Sequence, residues 1–102
     1  MITNERNSTH YTENIGADIT TDPHVINDAN ARNITIMVFP DSGTIRCEFT
    51  ISDSSRIEEG TARWATWSHG NVSVETGDTI TGKIRAFRFV TIGGTGTAEI
   101  MY

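Results

Sequence analysis

Short runs in which apolar and polar residues alternate, each closed by a turn-forming residue, limit most strongly how this chain can fold. The clearest run spans residues 44–52, where Ile45, Cys47, Phe49 and Ile51 share one side of an extended chain and polar residues share the other. Successive side chains of a β-strand point to opposite faces of the sheet. The pattern therefore predicts a strand with one face in a core and one face in water.

Residues 32–39 predict a second strand of the same kind. Three branched apolar residues lie on its core side: Ile34, Ile36 and Val38. Met37 and Phe39 lie on the other side, which is unusually apolar for a surface in water. Residues 40–43 supply a turn, because Pro40 cannot donate to a ladder and Gly43 tolerates a positive φ. We therefore predict a β-hairpin made of residues 32–39 and 44–52.

A closing hairpin is predicted from residues 83–92 and 97–102, which are joined by a glycine turn at 93–96. Both sides of residues 83–92 carry apolar surface, with Phe87 and Phe89 together on one side. Two phenylalanines left in water would forfeit on the order of 3 to 6 kcal/mol of burial. We therefore expect this strand to be central in its sheet or to be completed by a partner.

Several shorter elements complete the pattern. Further strands are predicted at residues 24–26, 62–67 and 72–75, with a tight turn at 68–71 and turn residues again at 76–78. Ser55 and Glu58, followed by Gly60, predict a capped single turn of helix, and no longer helix is expected. About seven or eight short antiparallel strands are typical of a β-sandwich, a jelly roll or a small barrel. We expect an all-β, single-domain β-sandwich or jelly roll.

The first 30 residues differ from the rest in charge and pattern. They hold five acids against one arginine, so they carry −4 of the net charge of −5, and their apolar residues are scattered. We interpret residues 1–30 as an extended acidic arm and edge segment, and residues 31–102 as the β-sandwich domain. The arm is either a disordered tail or an extension that folds against a neighbouring subunit, with Tyr11 and Ile15 as anchors.

The composition argues against several functions. A chain of net charge −5 lacks the basic stripe that nucleic-acid binding needs, so no nucleic-acid partner is expected. No apolar run is long enough to span a bilayer, and the N-terminal residues do not resemble a signal peptide, so we expect no membrane association and synthesis in a cytoplasm.

No group of residues predicts catalysis or metal binding. His10, His24 and His69 are far apart and lack metal-ligand spacing, and no serine lies in a nucleophile motif. Cys47 is a single cysteine between apolar neighbours, which favours a small buried hydrophobe over a catalytic thiol. We therefore expect no catalytic residue, no metal, no cofactor and no small-molecule substrate.

The two tryptophans raise a question of exposure. Trp64 and Trp67 are three residues apart, and an odd spacing in a regular strand sends them to opposite faces, so only one of them can enter the core. The other is an anchor in a protein interface, a platform for a sugar ring or a cover for the sheet edge.

The surplus of apolar residues indicates assembly with another chain. Seven of the eight basic residues are arginine, the cation better suited to interface pairing. Eight residues are predicted to lie in subunit or capsid interfaces: Tyr11, Ile15, Met37, Phe39, Trp64, Trp67, Phe87 and Phe89.

Residues 61–102 resemble the small virion proteins of tailed bacteriophages. The resemblance lies in WATWSHGNV at residues 64–72, IRAFRF at 84–89 and GGTGTA at 93–98. It implies a non-enzymatic structural protein, most similar to a head decoration or cement protein that binds across neighbouring capsid subunits. The implied partner is the major capsid protein, the implied location is the virion, and the implied state is a homo-oligomer, either a dimer or a trimer.

Two alternatives remain open. In the first alternative, the chain is a carbohydrate-binding or host-recognition module of a tail fibre. An exposed tryptophan would then stack on the sugar, and Arg63, His69 and Asn71 would hydrogen-bond to it. A tail or connector component is the other alternative.

Overall fold

The computed structural model describes residues 2–5, 8–27 and 31–102, whose regular secondary structure is mostly β-strand. The strands are β1 (Ile2–Glu5), β2 (Ser8–Ile15), β3 (His24–Val25), β4 (Asn33–Pro40), β5 (Thr44–Thr50), β6 (Ala65–Thr66), β7 (Thr76–Thr81), β8 (Ala86–Ile92) and β9 (Gly96–Met101). One helix, α1 (Ser54–Glu59), follows β5. The predicted all-β class is confirmed.

The strands form two antiparallel sheets that pack face to face. The larger sheet has the order β1-β2-β9-β4-β7, and the smaller sheet has the order β3-β8-β5-β6. The core between the sheets is built from their inward residues: Ile34, Ile36 and Val38 of β4, Ile45 and Cys47 of β5, Phe87 and Phe89 of β8, and Ala98 and Ile100 of β9. The predicted β-sandwich is confirmed. Alternation indicated the buried side of β4 and of Ile45 and Cys47 in β5, but Ile51, predicted on the same side, follows the end of β5 and is 73% exposed.

The two predicted hairpins are wrong. β4 and β5 belong to different sheets, and so do β8 and β9. Alternation identifies the buried face of a strand, but it does not identify the neighbour to which that strand is hydrogen-bonded. At both turns the chain crosses from one sheet to the other instead of returning within a sheet.

The two crossings pack tightly against each other. The backbone N–H of Asp41 donates to the carbonyl of Thr95 at 2.8 Å. A Cβ at Gly94 would overlap the backbone of Ser42, and a Cβ at Gly43, where φ is +63°, would overlap the chain around Gly93. The glycines that predicted hairpin turns are therefore needed because two chain segments pass at backbone contact.

Residues 62–67 and 72–75, predicted as strands on either side of a tight turn, do not form two paired strands. Within the described residues, β6 is two residues long and pairs with β5, while Val72 forms an isolated bridge to Ile45. The following stretch, predicted as a turn, begins strand β7, which pairs with β4 along six residues. Threonine, glycine and aspartate are typical of turns. This strand lies at a sheet edge, however, where a strand needs only one half-buried side, here the side of Ile80, to pack against the sandwich.

Much of the N-terminal segment is part of the larger sheet. β2 pairs with β9 along six residues, and β1 pairs with β2. The predicted short edge strand at residues 24–26 is confirmed as β3, which borders β8. The proposed boundary between residues 30 and 31 adjoins residues 28–30, which lie outside the described part of the chain, and it stays a prediction.

The predicted helical turn is present, with a different N-cap. The side chain of Asp53 accepts from the backbone N–H of Arg56 at 3.0 Å, while the hydroxyl of Ser55 donates to Asp53. Gly60 ends the helix in the left-handed conformation, with φ of 76°, as predicted. With six residues, α1 is far too short to cross a bilayer, and the described residues include no other helix.

Candidate functional site

The eight residues predicted to form interfaces occupy different parts of the sandwich. Met37 and Phe39 lie on the outer face of the larger sheet, and Trp64 lies on the outer side of the smaller sheet. The others are buried or half-buried within this chain: Tyr11, Ile15, Trp67, Phe87 and Phe89. The structure therefore places Met37 and Phe39 on one outer surface and Trp64 on the opposite one.

Phe87 and Phe89 are core residues. Their exposed fractions are 0% and 1%, so this fold leaves no side-chain surface with which they could contact another chain. β8 lies between β5 and β3, and the backbone N–H of Thr21 also donates to the carbonyl of Phe89 at 2.9 Å. The strand is central in its sheet, which was the first of the two expected explanations. Their assignment to an interface is thus corrected.

The two tryptophans are separated as their spacing predicted. Trp67 is buried, and its indole Nε1 donates to the carbonyl of Gly70 at 2.7 Å across the tight turn. Trp64 is half-buried and contacts Arg88 on the outer side of the smaller sheet. Trp64 is therefore the tryptophan available to a partner.

Tyr11 and Ile15 anchor β2 to its own chain. Ile15 is 3% exposed and lies in the core. Tyr11 stacks on His24 with ring centres 4.0 Å apart, and its hydroxyl donates to Glu13. Burial, reinforced by Glu13, raises the pKa of Tyr11. The contacts that we expected these side chains to make with a neighbouring subunit are made within this chain.

The outer face of the larger sheet carries an apolar patch, which we call the methionine face: Met37, Phe39 and Met101. Met37 is 37% exposed and Met101 is 50% exposed, and both belong to the adjacent strands β4 and β9. The register pairs Met37 with Glu99, so Met37 and Met101 are diagonal neighbours on one face. Met101 was not predicted, although it alternates with Ile100 in the same way that Met37 alternates with Ile36.

The opposite surface carries a charged cluster that we call the arginine face: Arg46, Glu48, Trp64 and Arg88. Glu48 is 7% exposed and accepts from Arg46 Nε at 2.8 Å and from Arg88 Nε at 2.7 Å. Burial alone raises the pKa of Glu48, but the hydrogen bonds from the two arginines outweigh it and hold the pKa below its usual range. Sequence reasoning missed this cluster, although Arg88 is the one charged residue in strand β8.

The histidines and the cysteine lie apart from one another. His10 pairs with Glu99 at 3.0 Å, His24 with the Tyr102 hydroxyl at 3.1 Å, and His69 with Asp78 at 3.5 Å. The described residues contain no group of three or more His, Cys, Asp or Glu that could hold a metal ion. Cys47 is a small buried hydrophobe, as predicted, and burial raises the pKa of its thiol.

The residues proposed for a sugar site are divided between two environments. Asn71 accepts from Arg46 Nη1 at 3.4 Å, which places it beside the arginine face. The ring of His69 packs edge-on against Trp67, with ring centres 5.0 Å apart, and its Nε2 faces Asp78. The backbone carbonyl of Arg63 accepts from Thr50 at 2.7 Å.

No model of a known protein family matches the chain, and no curated protein matches it.

Proposed function

We propose that this chain is a structural protein of a virus particle, a head decoration protein that binds across neighbouring capsid subunits and stabilises the capsid. The methionine face is the observation that carries the proposal. In a sandwich, the outward side chains of a larger sheet are expected to be polar, yet here two adjacent strands present Met37, Phe39 and Met101. Such a patch on central strands is typical of a surface that another protein covers.

The free energy gained by burying the methionine face is too small to hold a partner by itself. The exposed parts of Met37 and Met101 together amount to nearly one whole side chain, and burying one is worth about 1.5 to 3 kcal/mol. That is far less than the roughly 8 kcal/mol of a micromolar complex. The contact therefore extends over the neighbouring threonines of the sheet, or many copies bind one particle together.

Other features support the same proposal. The chain is short, acidic and all-β, and residues 61–102 resemble small virion proteins. In this proposal the partner is the major capsid protein, the protein resides in the virion, and it binds as a homo-oligomer. Methionine suits such a contact because its unbranched, polarisable side chain adapts to an irregular partner surface.

Co-sedimentation tests the proposal. The chain is expressed together with the capsid protein encoded in the same genome, and the assembled shells are sedimented. Wild-type chain is expected in the shell fraction, whereas the double variant Met37→Ser/Met101→Ser is expected to remain in the supernatant. Val74→Ser is the matched control, because Val74 is 69% exposed and lies outside the methionine face. The proposal is refuted if the wild-type chain remains in the supernatant. It is also refuted if the double variant is found in the shell fraction.

A carbohydrate-binding module is the second candidate function. It is favoured by one observation, the half-buried Trp64 beside Arg88, because an aromatic ring with a polar neighbour can stack on a sugar. A titration followed by tryptophan fluorescence against a panel of glycans separates the candidates. A decoration protein leaves the fluorescence unchanged, whereas a sugar-binding module responds to a subset of the panel.

A further inference from the structure

The arginine face arranges two guanidinium groups around one carboxylate. Each oxygen of Glu48 accepts from the Nε of a different arginine, at 2.8 Å from Arg46 and 2.7 Å from Arg88. The Nη groups of both arginines are therefore left without a strong partner among the described residues, since the Arg46 Nη1 contact to Asn71 is long, at 3.4 Å. Each arginine side chain keeps 28% of its surface exposed.

Strand register and Trp64 hold this arrangement in place. Arg46 and Glu48 are two residues apart on β5 and so share its outer side, and Arg88 lies directly opposite Glu48 on β8. Trp64 comes just before β6, which borders β5 on the side away from β8. The Arg88 guanidinium nevertheless lies 4.3 Å from the centre of the Trp64 ring, so the two side chains meet over the outer side of β5. Arg88 is thus fixed by a carboxylate and by an aromatic ring.

The charge of the cluster contrasts with that of the chain. Two arginines and one glutamate give the arginine face a net charge of +1, whereas the whole chain carries −5. The other residues on this side of β5 and β8 are neutral. Thr44 and Ile92 are at least partly accessible, whereas Thr50, Ala86 and Val90 are buried. Ion clusters that are largely removed from water contribute little net stability compared with apolar packing. A positively charged cluster that is fixed by a buried carboxylate therefore points to a role in binding.

We propose that the arginine face binds a carboxylate side chain of a partner protein, which would be seated on the Nη groups of Arg46 and Arg88 beside Trp64. The planar guanidinium donates two parallel hydrogen bonds that match the two oxygens of a carboxylate. Arginine and tryptophan are also the residues most enriched among the energetic centres of protein interfaces.

Charge and shape favour an acidic residue of a protein over other anions. One carboxylate neutralises the net charge of +1, whereas a phosphate dianion would leave an uncompensated charge. The guanidinium of Arg88 already occupies one side of the Trp64 ring, which removes that side from stacking on a sugar. This inference concerns the sheet face opposite the methionine face and does not depend on the chain being a virion protein.

The isolated chain with poly-L-glutamate as the probe tests the inference. Binding at physiological ionic strength is followed by Trp64 fluorescence and by the ¹⁵N signals of the arginine side chains. Arg46→Lys and Arg88→Lys keep the charge but lose the two-pronged donor, so each is expected to weaken binding at least tenfold. Arg56→Lys is the matched control, because Arg56 is an exposed arginine on α1, and its affinity is expected to equal that of the wild type.

Glu48→Gln separates orientation from charge. This change makes the face more positive but releases the two Nε groups, so the inference expects weaker binding despite the added charge. Stronger binding would show that simple attraction is sufficient and would overturn the role of Glu48 in positioning the arginines.

Inorganic phosphate and polygalacturonate serve as competing probes. If either of them binds while polyglutamate does not, the assigned ligand class is overturned. Equal affinity of polyglutamate for the wild type and both lysine variants overturns the site itself, and so does the absence of any binding. If a variant unfolds, the ¹⁵N spectrum of the wild-type chain with polyglutamate tests the site instead. Signal shifts confined to Arg46 and Arg88 support the site, and shifts spread over all arginines contradict it.

Discussion

Phe87 shows why the exposure of a single residue is decided by the whole fold. It lies in a strand that is apolar on both sides, which indicated either a central strand or a strand completed by a partner. The structure makes the strand central and buries the ring completely, within 6.4 Å of the ring centre of Phe49. A residue of this kind contributes to folding rather than to recognition.

Phe87→Ala is therefore expected to lower the free energy of unfolding by about 3 to 5 kcal/mol, because it removes a fully buried ring and leaves a cavity. Urea unfolding of the purified chain measures the change. Met37→Ala, at a side chain that is 37% exposed, is the comparison and is expected to cost less than about 1 kcal/mol. Equal stability of Phe87→Ala and wild type would show that Phe87 is not in the core.

Glu48 gives the chain a sensitivity to acid. Its pKa in the folded state lies below the usual value of 4.5, so the unfolded chain takes up the proton more readily than the folded chain. The ionised carboxylate stabilises the fold above about pH 4.5, and this contribution is lost as the pH falls through the lower pKa of the folded state. Glu48→Gln is expected to cost about 2 kcal/mol at pH 7.

The same variant is expected to lose less stability than the wild type between pH 5 and pH 3. Urea unfolding across that range compares the two slopes. Parallel curves for the two proteins would show that Glu48 is not responsible for the acid sensitivity.

The strands show what a turn sequence does and does not determine. Residues 40–43 and 93–96 have the proline and glycine content of hairpin turns, yet both carry the chain from one sheet to the other. Their glycines meet where the two crossings touch, and Gly94 lies against the backbone of Ser42. The pair of crossings thus joins the sheets at one end of the sandwich.

Gly94→Ala is expected to destabilise the fold by at least about 2 kcal/mol, since its methyl group would overlap the backbone of Ser42 and the two crossings would have to separate. The control is Gly16→Ala, where the nearest atom is the Ile19 side chain at 3.9 Å and the change is expected to be close to neutral. Thermal unfolding measures both. If Gly94→Ala were as stable as Gly16→Ala, the crossings would not be in contact.

The whole molecule is a sandwich whose two outer surfaces differ in character and whose sheets also meet at an aromatic contact. The methionine face is apolar and the arginine face is positive, and the core separates them. His24 of the smaller sheet stacks on Tyr11 of the larger sheet and contacts the hydroxyl of Tyr102, which follows β9. Partial burial lowers the pKa of His24, so the folded chain favours the neutral ring.

Stability is therefore expected to decline on mild acidification. The unfolded chain protonates His24 near pH 6.5, whereas the folded chain does so only at lower pH, so the free energy of unfolding falls as the pH drops below about 6.5. His24→Phe retains an aromatic ring without a titrating group and is expected to flatten this decline in urea midpoints between pH 7.5 and pH 5.5. His69→Phe, on the exposed turn, is the control and should leave the decline in place. An unchanged slope in His24→Phe would contradict the assignment.

The two candidate surfaces were predictable to different degrees. Met37 and Phe39 were placed on an outward side by alternation alone, because that property belongs to one strand. The arginine face brings Arg46 and Glu48 together with Arg88, which lies forty residues beyond Glu48, and with Trp64, which contacts Arg88 from the other side of β5. No local pattern encodes such a meeting, because it depends on which strands are neighbours.

The sequence by itself determined that the chain is all-β with a sandwich-type fold, which side of β4 and of Ile45 and Cys47 in β5 is buried, and that only one tryptophan enters the core. Each of these follows from the two-residue period of a strand and from the need to bury apolar side chains. The tertiary structure alone decided that β4 pairs with β7 and β9, and that residues 76–81 form a strand. Pairing is a non-local choice among many strands with similar alternation, and the packing of both sheets around one core makes that choice.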